Sequence, residues 1–543
     1  MKKRLLASLI GCWALVGYIG QFSLMANPPI KLQQPILGGE LSNSAVTSVT
    51  DIDEVIPHMA TLGLNTVLAP AYWEFLEPTE GHFDFTLVDR IIDRARENKL
   101  KIVFLWFGAW KNSMSCYAPQ WFKQDTKRFP RAMTRTGKPL EIASCFSDNV
   151  LQADKRAFTA LMQHLAEKDK ATGTVIMMQI ENEIGMLEDA RDHAPLAEKA
   201  YGQPVPERLL KALKIQKKGT WIEVFGSDDY ADEKFMAYHY ARYVEELAKV
   251  ARQTYDMPLY VNAAMNSRGR KPGEYPSAGP LAHLIDFWHC GAPSIDLLAP
   301  DIYDTGFKTW AAQYALPNNQ LFIPESRCCA NSGVRALYVF GEHGALGFSP
   351  FAIDQASGAD TKNVTKAYNL LRQLQNAKLL ENKHRWGLLF DQQDKERTIQ
   401  DNDVVITVRH YYTLPWDPRA TDGSEWPEGG AFLVRLSPGE YLMAGSGIVA
   451  EFKTKTEKQQ EERKVLGEDG FAEAGKQSSA SAKSVSRFYG KRLGISAVDE
   501  ITIDETGHFS FLRRNNGDQD HQGRHARISI GDWKILHIRL YEY

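Results

Sequence analysis

The chain has 543 residues, of which 43% are hydrophobic and 24% are charged, and its formal net charge at pH 7 is −3. This length exceeds one ordinary hydrophobic core and predicts two or three domains. The composition is that of a soluble globular protein, and the charge gives no reason to expect a nucleic acid or an anionic membrane as partner.

The N-terminal segment has the three parts of a secretory signal. Basic residues at positions 2–4 precede a mostly apolar run from Leu5 to Met25, and Ala26 offers a small residue for cleavage. We therefore predict that residues 1–26 are a signal peptide. The mature protein is then expected in the periplasm or outside the cell, without stable insertion in a membrane. The alternatives are an uncleaved membrane anchor and a lipoprotein modified at Cys12.

Beyond this segment, short β-rich runs alternate with longer amphipathic stretches. Most of the runs are continuously apolar, as expected for strands buried on both faces of a parallel sheet. Eight strand–helix units in about 340 residues match the size and order of a (β/α)8 TIM barrel, which we place at residues 32–378. A doubly wound open sheet is the alternative, but no Gly-rich phosphate loop supports it. The predicted strands are Pro35–Gly39, Asn65–Ala71, Lys101–Phe107, Thr174–Ile180, Leu259–Ala263, Asp296–Ala299, Leu321–Pro324 and Ala345–Ser349, and the clearest helices are Leu87–Asn98, Lys155–Glu167, Asp232–Gln253 and Thr361–Gln375.

After about residue 380 the pattern changes to short β-like segments separated by Gly, Asp and Pro turns. We predict a β-sandwich-like accessory domain at residues 379–543, so the fold class is α/β with a TIM barrel followed by a β domain. A charged and then Ser-, Ala- and Gly-rich stretch near 453–486 predicts a mobile surface insertion. The β-like segments are Asp403–Tyr412, Gly430–Leu436, Tyr441–Phe452, His508–Arg513 and His525–Ile530.

Two of the predicted strands run directly into glutamates. The fourth ends in Glu181-Asn182-Glu183, and the seventh ends at Glu325. Active sites of this fold lie at the C-terminal ends of the strands, where buried carboxyl groups are costly unless they are bonded or used. Paired carboxyl groups hydrolyse glycosidic bonds when one is protonated and the other is ionised. We therefore predict Glu183 as the general acid/base, Glu325 as the nucleophile and Asn182 as a ligand of the sugar 2-hydroxyl.

Further strand-end residues are candidates for supporting roles. Arg327 is expected to share a strand face with Glu325 and so to keep it ionised. Tyr72 and Tyr303 end strands two and six and are predicted to reach the sugar or to hold Glu325, with core packing as the alternative.

The remaining candidates are expected to line the pocket. Glu40 and Glu74 are predicted to bind sugar hydroxyl groups, or alternatively to pair with Arg327. Asn112, after strand three, is predicted to contact the sugar. Trp288, before strand six, is predicted to stack on the sugar or to fill the core.

Histidine and cysteine patterns point to no cofactor. The histidines show no metal-ligand spacing, and no cysteine pair has the CxxC spacing of a zinc site. We predict no catalytic metal and no cofactor. The five cysteines after Cys12 are expected to be small buried residues, with one disulfide as an alternative.

The motifs resemble those of family 35 β-galactosidases, within a large clan of (β/α)8 retaining glycosidases. The acid/base signature of that family is similar to residues 173–185, with Glu181-Asn182-Glu183 at its centre, and its first- and second-strand motifs are similar to residues 37–44 and 72–78. The resemblance is not uniform, because Thr172-Gly173-Thr174 replaces the usual Gly-Gly-Pro, and residues 105–112 are more similar to family 42. Residues 513–524 resemble the accessory domain of a bacterial subgroup.

This resemblance implies a retaining exo-β-galactosidase that removes terminal β-D-galactose from oligo- or polysaccharides, with xyloglucan side chains as the specific expectation. It assigns the acid/base role to Glu183 and the nucleophile role to Glu325. The alternatives are another retaining activity of the clan (β-glucosidase, β-xylosidase or α-L-arabinofuranosidase) and a non-catalytic carbohydrate-binding protein. The expected partner is a carbohydrate, with no nucleic acid, and a homodimer remains open.

Overall fold

The computed structural model describes residues 29–460, 488–515 and 525–543. The predicted signal peptide at residues 1–26, including Cys12, therefore lies outside the described residues, as does most of the insertion predicted near 453–486. The first residues of that insertion are described: they complete a strand that ends at Thr454 and form a short helix, Lys455–Gln459.

Eight parallel strands form a closed barrel in chain order, which confirms the predicted fold class. Nearly every strand residue is buried, because the interior is filled by side chains and the exterior is covered by helices. All eight predicted strands are present, most of them one or two residues longer or shifted. They are β1 (Ile36–Glu40), β2 (Thr66–Tyr72), β3 (Lys101–Lys111), β4 (Val175–Asn182), β5 (Leu259–Ala264), β6 (Leu297–Ile302), β7 (Phe322–Ser326) and β8 (Gly347–Pro350).

A helix follows each barrel strand. Ser147 and Asp228 begin the two longest helices as N-caps, each accepting a hydrogen bond from the main chain three residues on. Phe158, Leu161 and Leu165 form one buried face of the first of these helices, as their spacing predicts. The barrel helices are α1 (Val49–Thr61), α2 (Thr86–Glu97), α3 (Asp148–Asp169), α4 (Asp229–Thr254), α5 (Ile285–Gly291), α6 (Phe307–Tyr314), α7 (Ser332–His343) and α8 (Ala359–Asn376).

The long connections lie at the C-terminal end of the barrel and carry small elements of their own. A two-stranded hairpin (Arg131–Met133 and Pro139–Ala143) follows β3. Short helices occupy Trp73–Leu76, Gln120–Gln124, Pro195–Tyr201, Glu207–Ala212 and Trp221–Phe225.

The C-terminal region consists of two antiparallel sheets with an apolar core between them. The segment predicted as one strand, Tyr441–Phe452, is two strands, because the chain turns at Gly447 with a φ of 74° and passes from one sheet to the other. The strands of the two sheets are β9 (Arg385–Phe390), β10 (Glu396–Asp401), β11 (Val404–His410), β12 (Gly429–Ser437), β13 (Glu440–Ser446), β14 (Ile448–Thr454), β15 (Leu493–Ile503), β16 (Phe509–Arg514), β17 (His525–Ile528) and β18 (Lys534–Glu542). The six-stranded sheet has the order β9-β12-β13-β18-β15-β16, and the four-stranded sheet has the order β10-β11-β14-β17.

Both faces of the six-stranded sheet carry buried apolar residues, although its edge strand β16 is exposed. One face packs on the smaller sheet, while Phe432, Leu442 and Ile535 on the other face belong to the barrel core. Helix α7 lies against β9 and β12, and Arg335 of that helix forms a two-bond ion pair with Glu428 at 2.7 Å. The β region is therefore joined to the outside of the barrel by a shared apolar core.

The burial of the cysteines differs from the sequence prediction. All five cysteines in the described part of the chain are free, and only Cys290 is buried, whereas Cys116 is exposed. The prediction that all five are buried is therefore wrong. Of the helices in the described ranges, none combines the length and the apolar character needed to span a bilayer.

Candidate active site

Acidic side chains from four strand ends meet at the C-terminal mouth of the barrel. Oxygen atoms of Glu183, Asp301 and Glu325 lie within 4.8 Å of one another. The three residues follow or end β4, β6 and β7, and all are at least 94% buried. Glu40, at the end of β1, is also buried and interacts electrostatically with Glu183 and Glu325. Parallel strands in a closed barrel bring these distant residues together because all the strand ends face one mouth.

Glu183 is held in an unusual backbone conformation. Its φ is 44°, in the left-handed region that costs a non-glycine residue about 1–2 kcal/mol. Its N–H donates to Oδ1 of Asn262 at 2.9 Å, and its Oε2 accepts a hydrogen bond from Nδ2 of Asn112. These bonds from β5 and from the loop after β3 direct the carboxyl group into the mouth.

Glu325 lies in register with Asp301 on the neighbouring strand. One of its oxygens, Oε1, accepts a hydrogen bond from the hydroxyl group of Tyr303, as predicted from the sequence. The other, Oε2, is buried and accepts no hydrogen bond from an N–H or hydroxyl group, and the carboxyl group of Glu40 lies within hydrogen-bond reach of Glu325.

The prediction that Arg327 holds Glu325 ionised is not supported by the geometry. Strand β7 ends at Ser326, so the two-residue repeat that would place Arg327 beside Glu325 does not continue. Arg327 is exposed, and its Nε donates to the main-chain oxygen of Tyr303 at 3.2 Å. The cation that acts on the acidic cluster is instead Lys111, which is 4% exposed and whose Nζ donates to Asn112.

The electrostatic surroundings of the acidic groups shift their pKa values. Burial, and then the charge of Glu325, raises the pKa of Glu183 to about 7, while Lys111 opposes this shift. Burial also raises the pKa of Glu40 and of Asp301 well above their usual values, and Glu325 again adds to both shifts. Near neutral pH, Glu183 can therefore hold a proton and also give it up, as a general acid/base must.

The mouth also contains buried polar atoms with no partner. Both polar atoms of Asn182 are in this state although its side chain is fully buried. Unpaired buried donors and acceptors cost free energy unless a ligand or water satisfies them. A ligand with many hydroxyl groups would supply the missing partners. Further such atoms belong to Glu40, Gln179, Tyr260, Ser326 and Ser349.

Three residues that are predicted as sugar ligands, Tyr72, Glu74 and Trp288, contact other parts of the protein. The hydroxyl group of Tyr72 donates to the main-chain oxygen of Asn43 at 2.8 Å. The carboxylate of Glu74, in the short helix after β2, lies 4.0 Å from Nζ of Lys123. Trp288 in α5 is fully buried and its Nε1 donates to a main-chain oxygen, so it fills the core, which was the alternative expectation. Direct contact of Tyr72 or Glu74 with a sugar stays a prediction.

Sequence reasoning missed Lys111, Asn262 and Asp301. Asp301 follows Pro300 at the end of an apolar strand, which is the same signal that identified Glu325. Lys111 and Asn262 lie within strands of mainly apolar sequence, where a polar residue carries a burial cost, and this signal could have selected them. Glu181, beside the acid/base, is paired with buried Asp154 behind the site and accepts the N–H of Trp110 at 2.8 Å.

The spacing of Glu183, Asp301 and Glu325 would also permit them to share a cation, and in the described ranges no other cluster of His, Cys, Asp or Glu has this spacing. The cluster contains no histidine or thiolate, which the tightly held transition metals usually require. The absence of a catalytic metal stays a prediction.

Two family models match parts of the chain. Residues 46–235 match the family model described as beta-galactosidase, glycoside hydrolase family 42. Residues 364–527 match the model of a domain of unknown function, DUF5597. No curated protein matches the chain.

Solved β-galactosidases are similar to the chain at low identity. The enzyme of the psychrophilic Marinomonas ef1 is 14% identical, with a TM-score of 0.45, over 62% of this chain and 59% of that one. The enzyme of Bacillus circulans sp. alkalophilus is 15% identical, with a TM-score of 0.44, over 63% and 56%. A catalytic mutant of a family 42 β-galactosidase from G. stearothermophilus is 14% identical, with a TM-score of 0.46, over 63% and 57%. The chain thus spans less than two thirds of each of these proteins.

The barrel is closed by eight strands, carries paired carboxyl groups at its mouth and includes the matched segment, so its class is one similar to glycoside hydrolase domains. More narrowly, residues 46–235 form a segment similar to the family 42 β-galactosidases. The clan-level resemblance seen in the motifs is therefore confirmed, whereas the narrower assignment to family 35 receives no support. The matched segment includes residues 105–112, whose sequence already resembled family 42.

The bond between Tyr303 and Glu325 gives a first testable prediction. Removing the hydroxyl group in Tyr303→Phe should lower kcat/KM on a nitrophenyl β-galactoside about 10- to 100-fold, the usual value of a hydrogen bond to a charged group. The exposed Tyr230, changed to Phe, is the matched control. Equal activity of Tyr303→Phe and wild type would contradict a role for this bond in orienting Glu325.

Proposed function

We propose that the protein is a retaining exo-β-galactosidase that uses Glu183 as acid/base and Glu325 as nucleophile. The observation that carries the proposal is that one carboxyl oxygen of Glu183 lies within 4.8 Å of one carboxyl oxygen of Glu325, so the two groups are close together. Retaining glycosidases have carboxyl groups about 5–5.5 Å apart, whereas inverting enzymes need about 6.5–9.5 Å to admit a water molecule. The pKa of Glu183, near 7, suits an acid that later acts as a base.

In the first step, an ionised oxygen of Glu325 attacks the anomeric carbon and forms an ester with the sugar. The glycosidic C–O bond breaks, and the leaving oxygen takes the proton of Glu183. Tyr303 holds the second oxygen of Glu325, so that the attacking oxygen is directed at the sugar. Asn182, buried and without partners, would bond the 2-hydroxyl group as charge develops on the ring.

In the second step, Glu183 is ionised and accepts a proton from a water molecule. The water oxygen attacks the anomeric carbon, and the ester bond to Glu325 breaks. Two inversions at one carbon leave the configuration of the released sugar unchanged. The same carboxyl group acts as acid and then as base, because formation of the ester removes the negative charge of Glu325 that raises the pKa of Glu183.

The sugar is proposed as terminal β-D-galactose because the family model that matches is described as beta-galactosidase. The natural source is proposed to be oligo- or polysaccharide, with xyloglucan side chains as the specific candidate. This last step is supported by the motif resemblance of the accessory region. An export signal at residues 1–26 would place the enzyme with such a substrate, in the periplasm or outside the cell. A homodimer is the oligomeric form we propose to test.

A panel of nitrophenyl glycosides tests the activity. The β-D-galactoside should be hydrolysed with the highest kcat/KM, and the β-D-glucoside, β-D-xyloside and α-L-arabinofuranoside more slowly. NMR of the first released product should show the β-anomer before mutarotation. Preference for another glycoside would refute the proposed sugar, and release of the α-anomer would refute the retaining mechanism. Galactose release from xyloglucan oligosaccharides, against a lactose control, tests the proposed source.

A further inference from the structure

Asp301 is a third acidic residue in the site that the two-carboxyl mechanism does not use. It ends β6, lies in register with Glu325 and is 1% exposed. One of its oxygens lies within 4.8 Å of both Glu183 and Glu325. A carboxyl group this close to the reacting pair affects their charge and orientation.

The charges around Asp301 determine which acidic groups can be ionised. Carboxyl groups in a buried site repel one another when ionised, so additional negative charges are costly unless cations balance them. The cation acting on this cluster is Lys111, which favours the ionised forms of Glu40 and Glu183. One ammonium group balances one carboxylate, and the hydrolysis needs that carboxylate on Glu325. The titratable groups that face Asp301 are Glu40 of β1, Glu183 after β4, Tyr260 of β5, Tyr303 after β6, Tyr314 of α6 and Glu325 of β7, while Lys111 of β3 acts on Glu40 and Glu183.

Hydrogen bonds connect Asp301 to the acid/base by two routes. Its Oδ2 accepts from Nδ2 of Asn262 at 2.7 Å, and Oδ1 of the same asparagine accepts the N–H of Glu183. Its Oδ1 is buried and accepts no hydrogen bond, and the carboxyl group of Asp301 as a whole lies within hydrogen-bond reach of that of Glu183. A proton on Oδ1 would make that oxygen a donor toward Glu183.

We propose that Asp301 is a positioning residue that keeps its own proton through the catalytic cycle, donates it in a hydrogen bond to Glu183, and fixes Asn262 under the main chain of Glu183. This inference rests on the proposed hydrolysis. It explains how the left-handed conformation of Glu183 is held and why a third acidic residue does not disturb the pair. The role is distinct from catalysis, because Asp301 transfers no proton and forms no bond with the sugar.

Two substitutions separate this role from that of an ionised group. In Asp301→Asn, the amide oxygen can accept from Asn262 and the amide nitrogen can donate to Glu183, as a protonated carboxyl group would. We expect kcat/KM on nitrophenyl β-galactoside to stay within about threefold of wild type, whereas Asp301→Ala should lose about 10- to 100-fold. The matched control is Asp304→Asn, three residues on, whose carboxylate is bound to Ser267 and Arg268 outside the cluster.

The pH profile supplies a readout that a merely structural role would not move. The bond from protonated Asp301 lowers the pKa of Glu183, so its loss in Asp301→Ala should move the basic limb of kcat/KM to higher pH. Asp301→Asn should leave that limb in place. If Asp301 were ionised, as a base or as a ligand of a cation, the opposite results would follow. Both variants would lose activity to the same extent, and removal of the negative charge would move the basic limb to lower pH.

The outcomes are distinguishable from failure of the proposed function. A folded wild-type protein that hydrolyses no glycoside of the panel refutes the hydrolase, whatever Asp301 does. An active wild type with Asp301→Asn as impaired as Asp301→Ala overturns the positioning role. Thermal melts of each variant exclude loss of fold as the cause. If Asp301→Ala does not fold, the activity and pH profile of Asp301→Asn alone test the positioning role. An ionised Asp301 would require Asp301→Asn to lose activity, whereas a protonated Asp301 would not.

Discussion

Replacement of Glu325 by alanine should reduce hydrolysis of every β-galactoside by at least about 10⁴-fold, because no covalent intermediate can then form. The loss should be similar for substrates with good and with poor leaving groups, since attack on the anomeric carbon is common to all of them. The exposed Glu54, changed to Gln, is a control for loss of a carboxyl group elsewhere on the barrel. Wild-type kcat on any substrate would show that Glu325 is not the nucleophile.

Azide tests the position of Glu325 as well as its necessity. In Glu325→Ala a small anion can enter the space left by the carboxylate and attack a galactoside that has a good leaving group. A single displacement from that side inverts the anomeric carbon, so the expected product is α-galactosyl azide. Formation of the β-azide would place the missing group on the other face of the sugar and contradict the assignment.

Replacement of Glu183 should give a different pattern. In Glu183→Gln, kcat/KM should fall about 10²- to 10⁴-fold for substrates with poor leaving groups, the usual contribution of a general acid. A dinitrophenyl galactoside needs little protonation, so its first step should be nearly unaffected and the glycosyl-enzyme should accumulate. Glu188→Gln, five residues on and ion-paired with Lys138, is the control. Equal losses on both kinds of substrate would contradict an acid/base role.

The pH dependence follows from the raised pKa of Glu183. The first step needs the protonated form, so kcat/KM of the wild type should fall as the pH rises through about 7. In Glu183→Gln this basic limb should disappear, because the amide does not titrate. In Glu183→Ala, azide attacks the glycosyl-enzyme and should give β-galactosyl azide, the opposite anomer to that from Glu325→Ala.

Local sequence patterns are sufficient to predict several residues of the site. Glu183 was predicted because a polar Glu-Asn-Glu run ends an apolar strand, and that burial cost is visible without any knowledge of the fold. The assignment of Glu325 also requires the strand order, because it depends on counting seven strands correctly. The closed barrel confirms that count. The bond from Tyr303 was also anticipated, because its position at the end of β6 places it beside β7.

Predictions that depended on side-chain direction beyond a strand end were less successful. Arg327 was placed beside Glu325 by the two-residue repeat of a strand, but the strand ends one residue earlier and the repeat ends with it. Lys111 of β3, more than 200 positions away in the chain, acts instead on Glu40 and Glu183, and its distance to these carboxyl groups is set by closure of the barrel. The choice between core and pocket for Trp288 likewise depended on packing between helices and loops.

The sequence by itself determined the alternation of strands and helices, the strand ends that carry carboxyl groups and the class of chemistry that two such groups perform. These properties follow from hydrophobic periodicity and from the cost of burying a polar side chain, both of which are local. Only the tertiary structure decided the electrostatics. Burial, one lysine and two further acids set the proton affinity of Glu183, and Asn262 and Asp301 fix its direction. Coulombic energies depend on distances through space, and closure of the barrel creates those distances.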